Sequence, residues 1–257
     1  MANPKTILIT GASSGIGRAL AESYALPGTT LLLTGRHKDR LAEAEAACAA
    51  RGASVKTALI CVTDRAALEK QLLVWDDASP IDLVIANAGI SGGLGREGDG
   101  DKLFRDIMSI NLDGTFNTVN PLIPRMKARK SGQIVLMSSM AGWRGLPSAP
   151  AYSVSKNAVR AYAEALRPLL KKDGIKVNVI CPGFIKTPLT DVNTYIMPFL
   201  MGVPQATAKI RRGIARNKAV IAFPWQMRLF MMLMTALPRC VSDAVFARAP
   251  VKPDPTG

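Results

Sequence analysis

Apolar positions along this chain fall into short dense runs, separated by longer stretches in which they recur every three or four residues. The runs KTILIT, TTLLLT, SVKTALI, IDLVIA, QIVLMS and IKVNVI are nearly continuous in apolar residues, as strands buried on both faces should be. Between them, residues 15–26, 38–50, 64–75, 101–129 and 152–172 carry helical spacing. Strand and helix in alternation predict a parallel sheet covered on both sides, a doubly wound α/β fold. No linker divides the chain, so residues 1–257 read as a single domain. The Gly-rich segment 89–100 and the segment after Pro188 read as long loops near strand ends.

Composition narrows the function classes. With 257 residues and 48% hydrophobic content, the chain can bury a full core. No charged-then-apolar leader opens it and no apolar run reaches about 18 residues, which predicts a cytosolic protein. Cys48, Cys61, Cys181 and Cys240 are far apart and His37 is the one histidine, so the expectation is reduced, mostly buried thiols and no metal site. Lys and Arg number 33 against 19 Asp and Glu, a formal charge of +14. Aromatics are few and no nucleic-acid motif is present, so the charge points to a small anionic ligand and an anionic surface, not to nucleic acid.

The first strand runs into TGASSGIGRAL, where Gly11, Ser13, Ser14, Gly15, Ile16 and Gly17 open a helix. Small residues let that turn close and let the backbone approach a pyrophosphate, with the helix N–H groups aimed at its charge. GGLG at 92–95 also follows a strand but reads as loop flexibility. At the end of the second strand, in TGRHKDRL, the acid that would bind both ribose hydroxyls of NAD is absent. Gly35 leaves space there, and Arg36, with Lys38, Arg40 and Arg18 nearby, offers a cation for a 2′-phosphate. NADP(H) is therefore favoured over NAD(H). Further on, YSVSK places Tyr152 and Lys156 one turn apart on one helix face. Core packing accounts for the tyrosine but badly for the lysine, which needs a partner when buried.

In order along the chain, TGASSGIG, ANAG, INLDGTF, MSSMAG, YSVSK and PGFIKT resemble the short-chain dehydrogenases/reductases, in their single-domain branch, over about residues 6–188. The resemblance implies a Rossmann-type sheet, a nicotinamide cofactor and hydride transfer to or from a carbonyl/alcohol substrate. It implies Asn111, Ser139, Tyr152 and Lys156 as the catalytic set. Family spacing puts the serine thirteen residues before the tyrosine, which selects Ser139 and leaves Ser138 as a supporting donor. Tyr152 is expected to move the proton. Its phenol, near pKa ~10 when free, would be lowered by Lys156, which would also bond the nicotinamide ribose. Ser139 would hold the substrate oxygen, and Asn111 a water that passes the proton on. Asn87, Ala88 and Gly89 would flank the cofactor, with Asn87 tying neighbouring strands. Val62 would pack on adenine, and Pro182, Gly183, Ile185 and Thr187 would close over the carboxamide. Two features depart from the family: Cys61 stands where an aspartate often meets the adenine amino group, and the common VDGG ending is missing. The same motifs also suit an NAD-linked alcohol dehydrogenase or a dinucleotide sensor without turnover.

Beyond the motifs, residues 192–242 contain no acid but hold Lys209, Arg211, Arg212, Arg216, Lys218, Arg228 and Arg239. Residues 188–218 read as a substrate loop, in which Ile196, Met197, Phe199, Leu200 and Met201 suggest an apolar substrate. Residues 219–247 form a separate apolar and basic segment. Leu229 to Met234 are apolar all round a helix, and Phe223 and Trp225 precede them, yet Pro224, Gln226 and Arg228 interrupt the run too often for a membrane span. Three covers fit: a second subunit of a homo-oligomer, the substrate pocket, or an anionic membrane surface.

Overall fold

The computed structural model describes residues 4–93 and 100–247. Seven strands run β1 (Thr6–Thr10), β2 (Thr30–Gly35), β3 (Ser54–Leu59), β4 (Leu83–Ala86), β5 (Gly132–Met137), β6 (Ile175–Pro182) and β7 (Val220–Phe223). Helices α1 (Gly15–Tyr24), α2 (Lys38–Ala49) and α3 (Arg65–Ala78) alternate with the first four strands. They are followed by α4 (Gly100–Met108), a π-helical turn (Ser109–Asp113), α5 (Gly114–Val119) and α6 (Ile123–Ala128). The long α7 (Pro150–Lys171) precedes β6, and α8 (Pro188–Asp191) and α9 (Val203–Ala215) precede β7. Helices α10 (Trp225–Ala236) and α11 (Arg239–Phe246) complete the described chain.

All strand pairs are parallel, in the order β3-β2-β1-β4-β5-β6-β7, so the doubly wound sheet is what the alternation predicts. Successive residues of β1 serve opposite layers: Ile7 and Ile9 join the core with Leu20 and Leu33, while Leu8 joins Leu32, Leu72 and Val84. A strand covered on both faces needs apolar residues at every position, hence the continuous runs. The order reverses between β1 and β4, and their carboxyl ends frame the crevice where such sheets bind ligands.

Four expectations need correction. SVKTALI is not a strand buried on both sides: β3 lies at the sheet edge, with Ser54, Lys56 and Leu59 exposed. A seventh strand, VIAF, is hidden within the apolar C-terminal part. Residues 101–129 are not one helix. The π-turn and the prolines at 121 and 124, which lack an N–H to continue a helix, divide them. The segment after Pro188 holds α8 and α9 as well as loop. Residues 94–99, with half of GGLG, lie outside the described residues. All four thiols are free, with Cys48 and Cys181 buried, Cys61 partly exposed and Cys240 exposed, fewer buried than expected.

Candidate active site

The turn after β1 is built for close approach. Gly11 and Gly15 have φ of +67° and +55°, in the left-handed region that favours glycine. At Gly17 a Cβ would lie 2.3 Å from the Gly11 carbonyl oxygen and 2.5 Å from Asn87 Nδ2, so only glycine lets α1 seat against the turn. Asn87 Nδ2 donates to the carbonyls of Thr10 (3.0 Å) and Gly11 (3.3 Å). The Thr10 hydroxyl accepts from the backbone N–H groups of Asn87 (3.1 Å) and Ala88 (3.3 Å). β1 and β4 are thus stitched together at the point where the turn begins. A cleft of about 530 Å³ opens above this stitching, lined by Gly11, Ser13, Ser14, Gly15, Ile16, Asn87, Ala88 and Gly89.

One end of the cleft is basic. Arg36, His37 and Arg40 line it, and among the described residues no ion pair engages either arginine. Arg18, expected nearby, is tied instead to Glu22 (3.0 Å) and Glu43 (2.9 Å), and neither it nor Lys38 lines the cleft. Gly35 is buried, and a Cβ there would stand 3.2 Å from that of Ser13, a tight contact that any side chain would meet. Thr34 also lines this end, and its hydroxyl is buried with no hydrogen-bond partner. Ile60, Cys61 and Val62 form the neighbouring wall, where the Cys61 Sγ lies 3.1 Å from the Thr63 hydroxyl. Val62 packs over Gly114, whose Cβ would sit 2.4 Å from Val62 Cγ2.

The other end carries Ser139, Tyr152 and Lys156. α7 is bolted down at Lys156: the Ser138 hydroxyl donates to the Lys156 carbonyl (2.7 Å), and Asn157 Nδ2 donates to the Gly142 carbonyl (2.8 Å). Lys156 is 4% exposed, and its Nζ donates to the Met137 carbonyl at 2.9 Å. Burial of the ammonium lowers its pKa to about 8. Tyr152 is hydrogen-bonded to Ser139, but burial outweighs that bond and raises the phenol above its ordinary value. This differs from the expectation that Lys156 would lower it. The Nζ lies 5.7 Å from the ring centroid and has been spent on a carbonyl, so desolvation decides the phenol. Ser139 Oγ also accepts from the Ala141 N–H (3.1 Å).

Asn111 and Gly17 sit beneath the cleft instead of lining it. The π-turn directs the buried Asn111 amide at Ile90, accepting from its N–H (2.8 Å) and donating to its carbonyl (2.9 Å), with a further bond to Ser155 (3.0 Å). Asn111 Oδ1 and Lys156 Nζ border the same space over Gly89, 3.0 and 3.3 Å from where a Cβ would be.

Pro182, Gly183, Ile185 and Thr187 line the cleft from the end of β6. Thr187 caps α8, accepting and returning hydrogen bonds with Thr190, and lies 3.5 Å from the Cβ position of Gly15. The apolar lining there is Leu189 and Val192, with Ile90 and Ile110 opposite. Ile196, Met197, Phe199, Leu200 and Met201, expected over the site, do not line it, and Ile196 is 92% exposed. Nor does any residue of Leu229–Met234. Thr34 and Ile110, which open TGRHKDRL and INLDGTF, line the cleft without having been given a role, and Ile90 and Leu189 line it from outside the motifs. Ile90 directly follows ANAG and Leu189 lies two residues past PGFIKT, a closeness that is the sequence cue for them.

A glycine turn at the switch point of a parallel sheet, with a serine, a tyrosine and a buried lysine across the same cleft, defines a dinucleotide-dependent oxidoreductase. The sequence pattern of the family described as short chain dehydrogenase matches residues 5–195. A protein of Myxococcus xanthus (strain DK1622) described as an uncharacterized oxidoreductase is 36% identical over 245 residues, covering 95% of this chain and 97% of the relative. A short-chain dehydrogenase from Sphingobium yanoikuyae, solved in complex with NADPH, superposes with a TM-score of 0.80 at 24% identity, covering 96% of both chains. One from Mycobacterium paratuberculosis, solved bound to NAD, gives 0.74 at 27% identity, covering 85% of this chain and 94% of that one. The chain belongs to the short-chain dehydrogenase family and is an oxidoreductase acting on a CH–OH/C=O pair with a nicotinamide dinucleotide. Among the described residues no helix is long and apolar enough to cross a membrane.

Proposed function

We propose that the protein is an NADP(H)-dependent reductase of apolar carbonyl compounds, with Tyr152 as the general acid. The observation that carries this reading is one continuous cleft with Arg36 and Arg40 at one end and Ser139, Tyr152 and Lys156 at the other. The residues fit the dinucleotide. Gly11 and Gly15 line the cleft and Gly17 lets α1 seat beneath it, and the first N–H groups of α1 lack intrahelical acceptors for a phosphate to satisfy. When bound, the dinucleotide supplies or accepts the hydride. Arg36, with Arg40, holds the 2′-phosphate, since no acid stands at Gly35 and, among the described residues, no carboxylate pairs with either guanidinium. Val62 takes the adenine side, with Asn87, Ala88 and Gly89 along the middle and Pro182, Gly183, Ile185 and Thr187 over the carboxamide end.

Ser139 holds the substrate oxygen while Tyr152 gives it the phenolic proton. The phenol, raised further by burial, is protonated at neutral pH, the state a general acid needs. Lys156, near pKa 8, exchanges protons readily close to neutrality and returns one to Tyr152 through the space it shares with Asn111. A water held there by Asn111 completes the path. Ile90, Ile110, Leu189 and Val192 give the substrate an apolar wall. The test is NADPH and NADH consumption with a panel of apolar ketones and aldehydes, alongside dissociation constants for both cofactors. Arg36→Ala should weaken NADPH about tenfold to a hundredfold, the worth of one charge-assisted bond, and leave NADH nearly unchanged. Equal losses would refute the phosphate contact, and NADPH binding without any turnover would favour a sensor.

A further inference from the structure

We infer that α10 and α11 dock the enzyme on an anionic lipid bilayer surface. α10 is apolar on two opposed faces. Met227, Met231 and Met234 turn inward onto Met140 and Phe246. Trp225, Leu229, Met232 and Leu233 turn outward, 70%, 49%, 46% and 52% exposed. At 3.6 residues per turn those four lie within about 100° of one another, a single stripe. Leu237, Val241 and Val245, just before and on α11, are exposed as well. Isolated exposed apolar residues are ordinary, but a continuous patch of this kind marks a partner.

Charge identifies the partner. No carboxylate occurs from Val192 to Ser242, and Arg228 and Arg239 are exposed at the borders of the stripe with no ion pair among the described residues. The first acid to follow, Asp243, is taken by Arg144. A second copy meeting this face through its own α10 and α11 would set arginines against arginines, whereas anionic headgroups neutralise both. Helices of 12 and 8 residues are too short to span a bilayer and suit its interface plane, where a tryptophan at the rim is favoured. Met227, on the inward face, has its Sδ 2.6 Å from the Cβ position of Gly183, which lines the cleft, so α10 itself packs beside the site.

The test is flotation of the full chain with phosphatidylcholine vesicles with and without about one-third phosphatidylglycerol, at low salt and at about 0.5 M salt. Binding to the anionic vesicles, its loss at high salt and a blue shift of the tryptophan emission that Trp225→Phe removes are expected. Leu229→Ser with Leu233→Ser, and separately Arg228→Glu, should each reduce partitioning by about tenfold or more while cofactor affinity and sedimentation mass stay unchanged. Absence of partitioning at low salt, or partitioning that neither variant alters, would overturn the inference. So would a fall in sedimentation mass on introducing Leu229→Ser and Leu233→Ser, which would assign the face to a second copy of the chain.

Discussion

Replacing Lys156 by methionine should make the cofactor-free protein less dependent on pH, and more stable near neutrality, while disabling it. The ammonium is 4% exposed, and burial brings its pKa from 10.5 to about 8. At about 1.4 kcal/mol per tenfold change in the proton equilibrium, holding that charge inside costs the fold about 3 kcal/mol below pH 8. Between pH 8 and 10.5 the unfolded chain binds more protons than the folded one, so this contribution makes stability rise with pH. Above 10.5 the amine is neutral in both states and the cost is gone. Methionine carries no charge and lacks this rise, although the Met137 carbonyl loses its donor at about 1 kcal/mol. Urea unfolding of both proteins at intervals from pH 7 to 11 reads the effect, because the tyrosines, thiols and lysines away from Lys156 titrate alike in each. The difference in unfolding free energy should close in the wild type's favour by about 3 kcal/mol across that window. A difference that stays flat would show that Lys156 is solvated in the folded state and that the pKa argument fails.

Tyr152→Phe should abolish turnover while leaving NADPH affinity within about twofold, since it removes the transferable proton and little cofactor contact; steady-state rates beside fluorescence titration check both. Turnover near wild type would refute the general-acid role. Gly17→Ala puts a methyl group 2.3 Å from the Gly11 carbonyl, which forces the turn apart. A loss of about 1–3 kcal/mol of stability and at least tenfold in NADPH affinity is expected, by denaturation and calorimetric titration, and unchanged affinity would mean the turn is not the phosphate cradle.

The parts of this protein legible in its sequence are those fixed by local spacing. Strands such as β1 announce themselves because both faces are covered, which leaves no polar position to interrupt the run. β7 was invisible because VIAF is four residues inside a longer apolar stretch, and its status depends on pairing with β6. The glycine turn and the Tyr152–Lys156 pair were readable for the same local reason. That Arg18 is engaged by carboxylates is not legible in the sequence, because Glu43, one of its partners, comes from α2, a contact that only the tertiary structure creates. The ionisation of Tyr152 was misread because spacing says that a lysine is near and cannot say how dry the site is. Both groups are governed first by burial. Thr34 shows the same limit: its hydroxyl is sealed without a partner by elements distant in sequence.

The two ends of the sheet treat buried charge differently, and the contrast yields the last prediction. At the amino ends of the strands, Asp82 accepts from the N–H groups of Lys5 (2.8 Å) and Thr6 (3.0 Å). Asp76, whose side chain is 2% exposed, accepts from the Ile81 N–H (2.8 Å) and pairs with Arg129 (2.9 Å). Arg129 in turn donates to the Ile81 carbonyl (2.8 Å). At the carboxyl ends lie the orphan Thr34 hydroxyl and an ammonium whose contact is a neutral carbonyl. One buried charge is fully compensated and the other is not, so removing them should change stability in opposite directions. Asp76→Ala leaves a half-buried guanidinium and the Ile81 N–H without their acceptor, which should cost about 3 kcal/mol at pH 7, whereas Lys156→Met should gain up to about 2 kcal/mol there. Paired urea denaturation curves decide the matter. A destabilisation of similar size in both variants would mean that Lys156 is as well compensated as Asp76, and that the carboxyl end carries no unmet polar demand for a ligand to satisfy.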